Sequence, residues 1–277
     1  DEILNDSETS IKKGLMLYPS TRPLDKTLEY SSNIYIPGIT GNRSGVIGLL
    51  RDANITSENG RYKALYELDE DEMRRLTTSV LLKSNDGAWH ENAIGNIFLI
   101  KFFNKLEDAR ELSALINACS RMNYPDIGLG FCLGNKNFRL EAEKIYIEYK
   151  QSLVSALKNI SESDKVEGKD YIIINAKDKI KDTIIGTVAS ILSHSPVYKS
   201  GMVIVALAYN EDKIKVSARL SGREGRNIRE ILNKAVISVG GEVGGHPNAA
   251  GCLISKEREA DFISELKKVL EIEMIKV

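Results

Sequence analysis

Between Gly240 and Gly251 the chain places five glycines, two alanines and one histidine, in the order Gly-Gly-Glu-Val-Gly-Gly-His-Pro-Asn-Ala-Ala-Gly. Glycine costs roughly 1 kcal/mol in the interior of a regular element. The run therefore reads as a tight bend whose backbone comes close to something else. Amides in such a bend form an anion-binding concavity, and His246 can add a directed hydrogen bond or a charge. A phosphate suits that combination; a close-packed turn with a structural histidine is the alternative. Just upstream, residues 213–229 hold Lys213, Lys215, Arg219, Arg223, Arg226 and Arg229 against the single acid Glu224, a local +5 in a chain of formal net charge −1. Any polyanion surface must then be local, and its grip would weaken with salt. Ser221–Gly225 reads as a loop entering a helix at Asn227, where amides, helix dipole and guanidinium forks favour phosphate. A solvated basic face is the bland reading of the same residues.

Other candidates resolve to structure. Gly38 to Gly45 invites comparison with a P-loop, but the spacing is too long and Val46 stands where lysine is needed, so helix entry is expected. Asp69, Glu70, Asp71 and Glu72 crowd the start of a helix, where negative charge complements the dipole. His90 and His194 read as structural or surface residues. Cys119, Cys132 and Cys252 lack C-x-x-C spacing and read as reduced thiols of a cytoplasmic protein. No set of ligands for two metal ions is visible, so no cofactor is expected on this chain.

The elements that must position these groups fall into two regions. Residues 1–60 read as a connector with a short helix at Val46–Ala53. Helices are expected at 69–83, 107–122 and 138–160, the last with Ala142, Ile145, Tyr149, Leu153 and Ala156 on one face. The polar stretch 161–164 marks a boundary. Beyond it come strands at 171–175, 202–209, 214–218 and 251–255, and helices at 182–193 (N-capped by Asp182), 227–239 and 256–270. The fold class is thus α/β: a connector plus mainly helical region over 1–160, then an α/β domain with one mixed sheet over 161–277. At 42% hydrophobic and 28% charged residues the composition is globular, and no apolar run is long enough for a membrane span, so no membrane partner is expected.

The Gly-Gly-His-x-x-Ala-Ala-Gly order resembles the signature of the DHH-associated domain, the C-terminal half of DHH-family phosphoesterases. Asp182–Leu192 and Lys215–Arg219 are similar to segments of archaeal RecJ-like single-strand-specific exonucleases. So are Tyr35–Gly41, Asp108–Leu112 and Asn117–Cys119. The family's Asp-His-His triplet is missing, and the chain begins at Asp1 instead of methionine. Both points lead to the expectation of a piece of a longer polypeptide, whose N-terminal domain would carry a divalent metal, typically manganese.

The resemblance implies that His246 contacts the scissile phosphate as the catalytic contribution of this part. Arg219, Ser217, Arg223, Gly244, Gly245 and Asn248 would hold the substrate backbone. It implies an exonuclease, hence hydrolase, part that binds single-stranded DNA or RNA in DNA replication or repair and is inactive alone. A second possibility is a non-catalytic replisome factor that docks the GINS complex and the replicative helicase through residues 60–160. A third is a phosphodiesterase of short RNA or cyclic dinucleotides.

Overall fold

A computed structural model of the chain describes residues 9–30, 36–83, 93–162, 165–195, 197–222 and 225–272. It divides into two compact units, Asp1–Tyr146 and Ile147–Val277.

The first unit contains β1 (Thr9–Leu15), α1 (Leu24–Glu29), α2 (Arg43–Asp52), α3 (Glu70–Lys83), β2 (Ile94–Phe102), β3 (Lys105–Asp108), α4 (Ala109–Arg121) and α5 (Pro125–Cys132). A long helix, α6 (Lys136–Glu162), runs past the unit boundary. The strands form an antiparallel sheet in the order β1-β2-β3. The region is mainly helical, as expected, but its three strands are not among the expected elements, and β1 corrects the reading of residues 1–60 as a connector with one short helix. The sheet's alternation is masked in the sequence, because β2 carries apolar residues on both faces. Ile97 and Leu99 are buried in one core with Leu15, Leu24, Leu49 and Leu76, whereas Ile94 and Phe98 stay exposed.

Local chemistry sets the helix starts. Asn42 caps α2 by accepting from Gly45 N at 3.1 Å, the helix-entry role expected of that loop. At α3 the acidic run forms a reciprocal cap. Asp69 Oδ1 accepts from Glu72 N at 2.7 Å, and Glu72 Oε2 accepts from Asp69 N at 3.0 Å.

The second unit contains β4 (Val166–Glu167), β5 (Tyr171–Asn175), α7 (Asp182–Ser193), β6 (Val203–Asn210), β7 (Lys213–Leu220), α8 (Ile228–Val236), β8 (Glu242–His246), β9 (Ala249–Ser255) and α9 (Glu259–Ile272). Among the described residues six strands form one sheet, ordered β4-β5-β6-β7-β9-β8. Only β5 and β6 run parallel within it; the other pairs are antiparallel, so the sheet is mixed. A parallel pair needs a crossover, and α7 supplies it.

One face of this sheet buries Val205, Val216, Ala218 and Cys252 under Ile231 and Leu232 of α8 and Phe262 and Leu266 of α9. On the other face Ile184, Ile185, Val188 and Ala189 of α7 are buried over β6 and β7. Tyr171–Ile174 is buried on both faces, as expected of a strand between two helical layers. Each such isoleucine contributes about 1.5–3 kcal/mol. The arrangement is the α/β fold with one mixed sheet that the strand and helix alternation implies.

Two local readings change. Lys181 is the N-cap of α7 and Asp182 its first helical residue, with no side-chain cap bond. The glycine run is not a bend: Glu242–His246 and Ala249–Ser255 are paired strands joined by the two residues Pro247 and Asn248. Its glycines serve the hairpin. Gly245 has φ +125, and a Cβ on Gly251 would lie 2.7 Å from Val216 O.

Candidate nucleic-acid interface

Cross-strand register puts the candidate residues in rows on the face that bears α7. Arg219 pairs with Ala249, and Ala249 with His246. Directly opposed residues point to one face, so Arg219 and His246 share it, with Cα atoms about 10 Å apart. The next row is Ser217–Gly251–Gly244, and the one after it Lys215–Leu253–Glu242. Helix α7 covers the β6 and β7 side of this face. Over β9 and β8, Gly244, His246 and Leu253 are exposed and Ala249 and Gly251 half-buried. The result is a shallow floor with almost no side chains. Arg219 stands at its α7 wall and His246 at its outer strand.

Gly244 differs from the other described glycines of the second unit. Among the described residues nothing lies within 4 Å of the position its Cβ would take, and its φ is not positive. Glycine in a strand is destabilising, and no steric demand of the fold requires it here. A close approach by a bound molecule is a reason for it.

Arg219 is held in place. Its Nε donates to Ser190 Oγ at 2.9 Å, Nη1 to Ala218 O at 2.8 Å, and Nη2 to Gly186 O at 3.4 Å. Ser217 is buried at 6% exposure, beside Gly186. Lys215 lies 3.8 Å from Asp182 Oδ2, which also accepts from Asn210 Nδ2 at 3.1 Å.

The basic segment does not stay together. Lys213, Lys215 and Arg219 alternate onto the α7 face. Arg226 instead donates to Leu270 O at 2.9 Å and Asp170 O at 2.6 Å, and Arg229 is exposed on α8 in the opposite layer. Arg223 and Glu224 lie outside the described residues, as does His90. The start of α8 is also internally capped. Asn227 Oδ1 accepts from Arg229 N and Glu230 N, and Ile228 N donates to Pro247 O at 2.7 Å. Its amides are therefore spent on the protein instead of being offered to phosphate. Asn248 is exposed at the hairpin tip, where its carbonyl accepts from Leu220 N at 3.0 Å. Gly245 is exposed beside it on β8.

Residue-by-residue reading singled out neither Gly186 nor Ser190 on α7. The signal was a glycine inside a helix, which costs about 1 kcal/mol there and asks for a packing reason. A Cβ at 186 would sit 3.3 Å from Ser217 Oγ and 3.5 Å from Arg219 Nη2. His194 ends this helix with Nδ1 2.7 Å from Ser190 O.

Among the described residues no three His, Cys, Asp or Glu side chains come together as a metal-ligand set. Glu107, Asp108 and Glu111 are instead paired with Arg139, Arg110 and Arg22. The described residues do not fit a divalent-metal centre. Among the described residues no helix is long and apolar enough to cross a membrane.

Residues 168–272 match the DHHA1 domain and residues 17–96 the DHH-CID domain. An uncharacterised protein of Methanocaldococcus jannaschii is 26% identical over 255 residues, which cover 88% of this chain and 51% of that protein. The chain thus spans about half the length of the curated relative it matches. Among solved structures, magnesium-bound RecJ of Thermus thermophilus aligns with TM-score 0.46 and 17% identity, covering 57% of this chain and 24% of that one. CDC45 of Entamoeba histolytica aligns with TM-score 0.49 and 11% identity, covering 97% of this chain and 59% of that one.

Proposed function

We propose that this chain, which carries a DHH-CID and a DHHA1 domain of the DHH family, is the substrate-binding part of a RecJ-like, metal-dependent exonuclease. The substrate is single-stranded DNA or RNA, met in DNA replication or repair. The observation that carries the reading is the cross-strand row Arg219–Ala249–His246 beside the bare row Ser217–Gly251–Gly244. A phosphodiester lying on that floor would meet a guanidinium on one side and an imidazole on the other. Arg219 holds backbone phosphate. His246 donates to the phosphate under attack and stabilises charge that develops there. Gly244 lets the strand approach the sheet, the amides of Gly244 and Gly245 add hydrogen bonds, and Asn248 offers an amide at the tip. Any divalent ions, manganese in this reading, would be held by residues outside this chain.

The test is titration of a labelled oligothymidylate with the 277-residue chain, Arg219→Ala and His246→Ala. Both variants should bind several-fold more weakly. Equal affinity of all three proteins would remove the site. Substituting a linear dinucleotide for the oligomer separates a long-strand substrate from a short one, and equal affinity for both would favour short-nucleotide phosphodiesterase activity.

A second reading is a replisome factor that docks the GINS complex and the replicative helicase without cutting. It draws on three leucines of α5, the turn after it and α6, Leu129, Leu133 and Leu140, at 63%, 78% and 61% exposure. Exposed apolar groups that join into one patch mark docking surfaces. Co-elution with recombinant GINS, lost in Leu133→Asp, would support it, and separate elution would count against it.

A further inference from the structure

Two hydrogen bonds of Arg219 run to α7, the wall of the site. We infer that Ser190 is a positioning residue, and that α7 serves as a shelf which sets the plane of the Arg219 guanidinium before any phosphate arrives. The inference rests on the proposed phosphate-binding role of Arg219.

Donor and acceptor logic fixes the arrangement. A serine hydroxyl has one proton. Here that proton goes to Gly186 O, 2.9 Å away and one turn back along α7. The oxygen is then left to accept, and Arg219 Nε donates to it at 2.9 Å. Gly186 O also accepts a hydrogen bond from Arg219 Nη2 at 3.4 Å. Two atoms of the fork are thus anchored on one turn of helix, and Nη1 is anchored on Ala218 O.

The missing side chain at residue 186 eases the approach of that turn to β7, since a Cβ there would crowd Ser217 Oγ at 3.3 Å. The turn is also held from behind, where Tyr149 OH lies 3.2 Å from Thr187 Oγ1. Arginine has one of the largest stores of rotamer entropy of any side chain. A fork oriented in the free protein does not lose that freedom on binding.

The test compares oligothymidylate affinity of the wild-type chain, Ser190→Ala, Ser190→Thr, Arg219→Ala and the Ser190→Ala/Arg219→Ala double variant, with melting temperatures as a check on folding. Ser190→Ala should weaken binding about three- to tenfold, the range for one hydrogen bond. Ser190→Thr keeps the hydroxyl and its bond to Gly186 O, and should restore binding. In the Arg219→Ala background, Ser190→Ala should cost nothing more, because the two residues act as a unit. An equal loss in both backgrounds, or wild-type affinity of Ser190→Ala while Arg219→Ala is weakened, overturns the positioning role and leaves the site intact. Unchanged affinity in Arg219→Ala itself overturns the site and this inference with it.

Discussion

Arg110 and Arg219, one in each unit, are held in opposite ways. Arg110 closes the protein on itself. Asp108 has 0% exposure and accepts from Arg110 Nη2 at 2.6 Å, Arg110 Nε at 3.0 Å and Ser20 N at 3.0 Å. Arg110 continues to Leu17 O at 2.9 Å, so one ion pair stitches the segment after β1 to the start of α4. Glu107 and Arg139 do the same between β3 and α6, at 2.6 Å. In Ile147–Val277 the half-buried Arg219 is propped by neutral oxygens of Ser190, Gly186 and Ala218. A carboxylate partner stabilises a fold and cancels a charge. A shelf of hydroxyl and carbonyl oxygens orients a guanidinium.

The first way to break the contrast is Arg110→Ala. It strands a buried carboxylate, so urea unfolding should show a loss of about 3 kcal/mol. Oligonucleotide affinity of the folded protein should not move. A loss below about 1 kcal/mol would mean that Asp108 is satisfied without its arginine.

Next in size is Gly244→Val. Valine suits a strand better than glycine, and no described residue lies where its Cβ would go, so the melting temperature should hold or rise. Its branched side chain would stand on the floor, and binding should fall about tenfold, or about 1.4 kcal/mol. Unchanged binding would show that the floor is not where a strand lies.

Smaller is the acid response of the first unit, where neighbouring carboxylates have opposite signs. Burial raises Glu111 above 4.5, with Arg22 opposing. Its contribution is therefore complete below the unfolded value and lost as pH rises through the folded one. Burial also pushes Asp108 up, but hydrogen bonds from Arg110 and Ser20 prevail and hold it below 3.8. Its contribution is present above the unfolded value and lost as pH falls through the folded one. Glu111→Gln should gain stability over wild type as pH is raised from the acid range to neutrality. A constant difference across that range would contradict the assignment.

The smallest effect concerns thiols. Cys252 is pushed up to about 12 by burial, and Cys119 is raised for the same reason, whereas Cys132 is exposed. A thiol reagent at neutral pH should label Cys132 first, and rapid modification of Cys252 would deny its place under α8.

Much of the second unit was legible because its elements are short and cleanly punctuated. The helix expected at 182–193 is α7 to the residue, with β-branched strands on either side. The pairing of Arg219 and His246 was legible only as a motif resemblance, since no local pattern reveals that two rungs of a ladder separate them. The glycine run misled because propensity counts glycine against strands, while the hairpin needs positive φ at Gly245 and backbone clearance at Gly251. The basic segment misled for another reason. Nearness in sequence hid that Arg219 and Arg229 leave on opposite sides of the sheet. In the first unit, β2 escaped notice because apolar residues on both faces erase the period of two. Ser190 was invisible because its role depends on a partner 29 positions away.

The account turns on whether Arg219 meets a phosphate. The direct measurement is the slope of log affinity against log salt for an oligothymidylate, in wild type and in Arg219→Ala. Removing one phosphate contact should reduce the slope by about 0.7 on a single strand. Parallel lines, however far apart, would mean that Arg219 neutralises no phosphate and that the open face of this sheet serves another purpose.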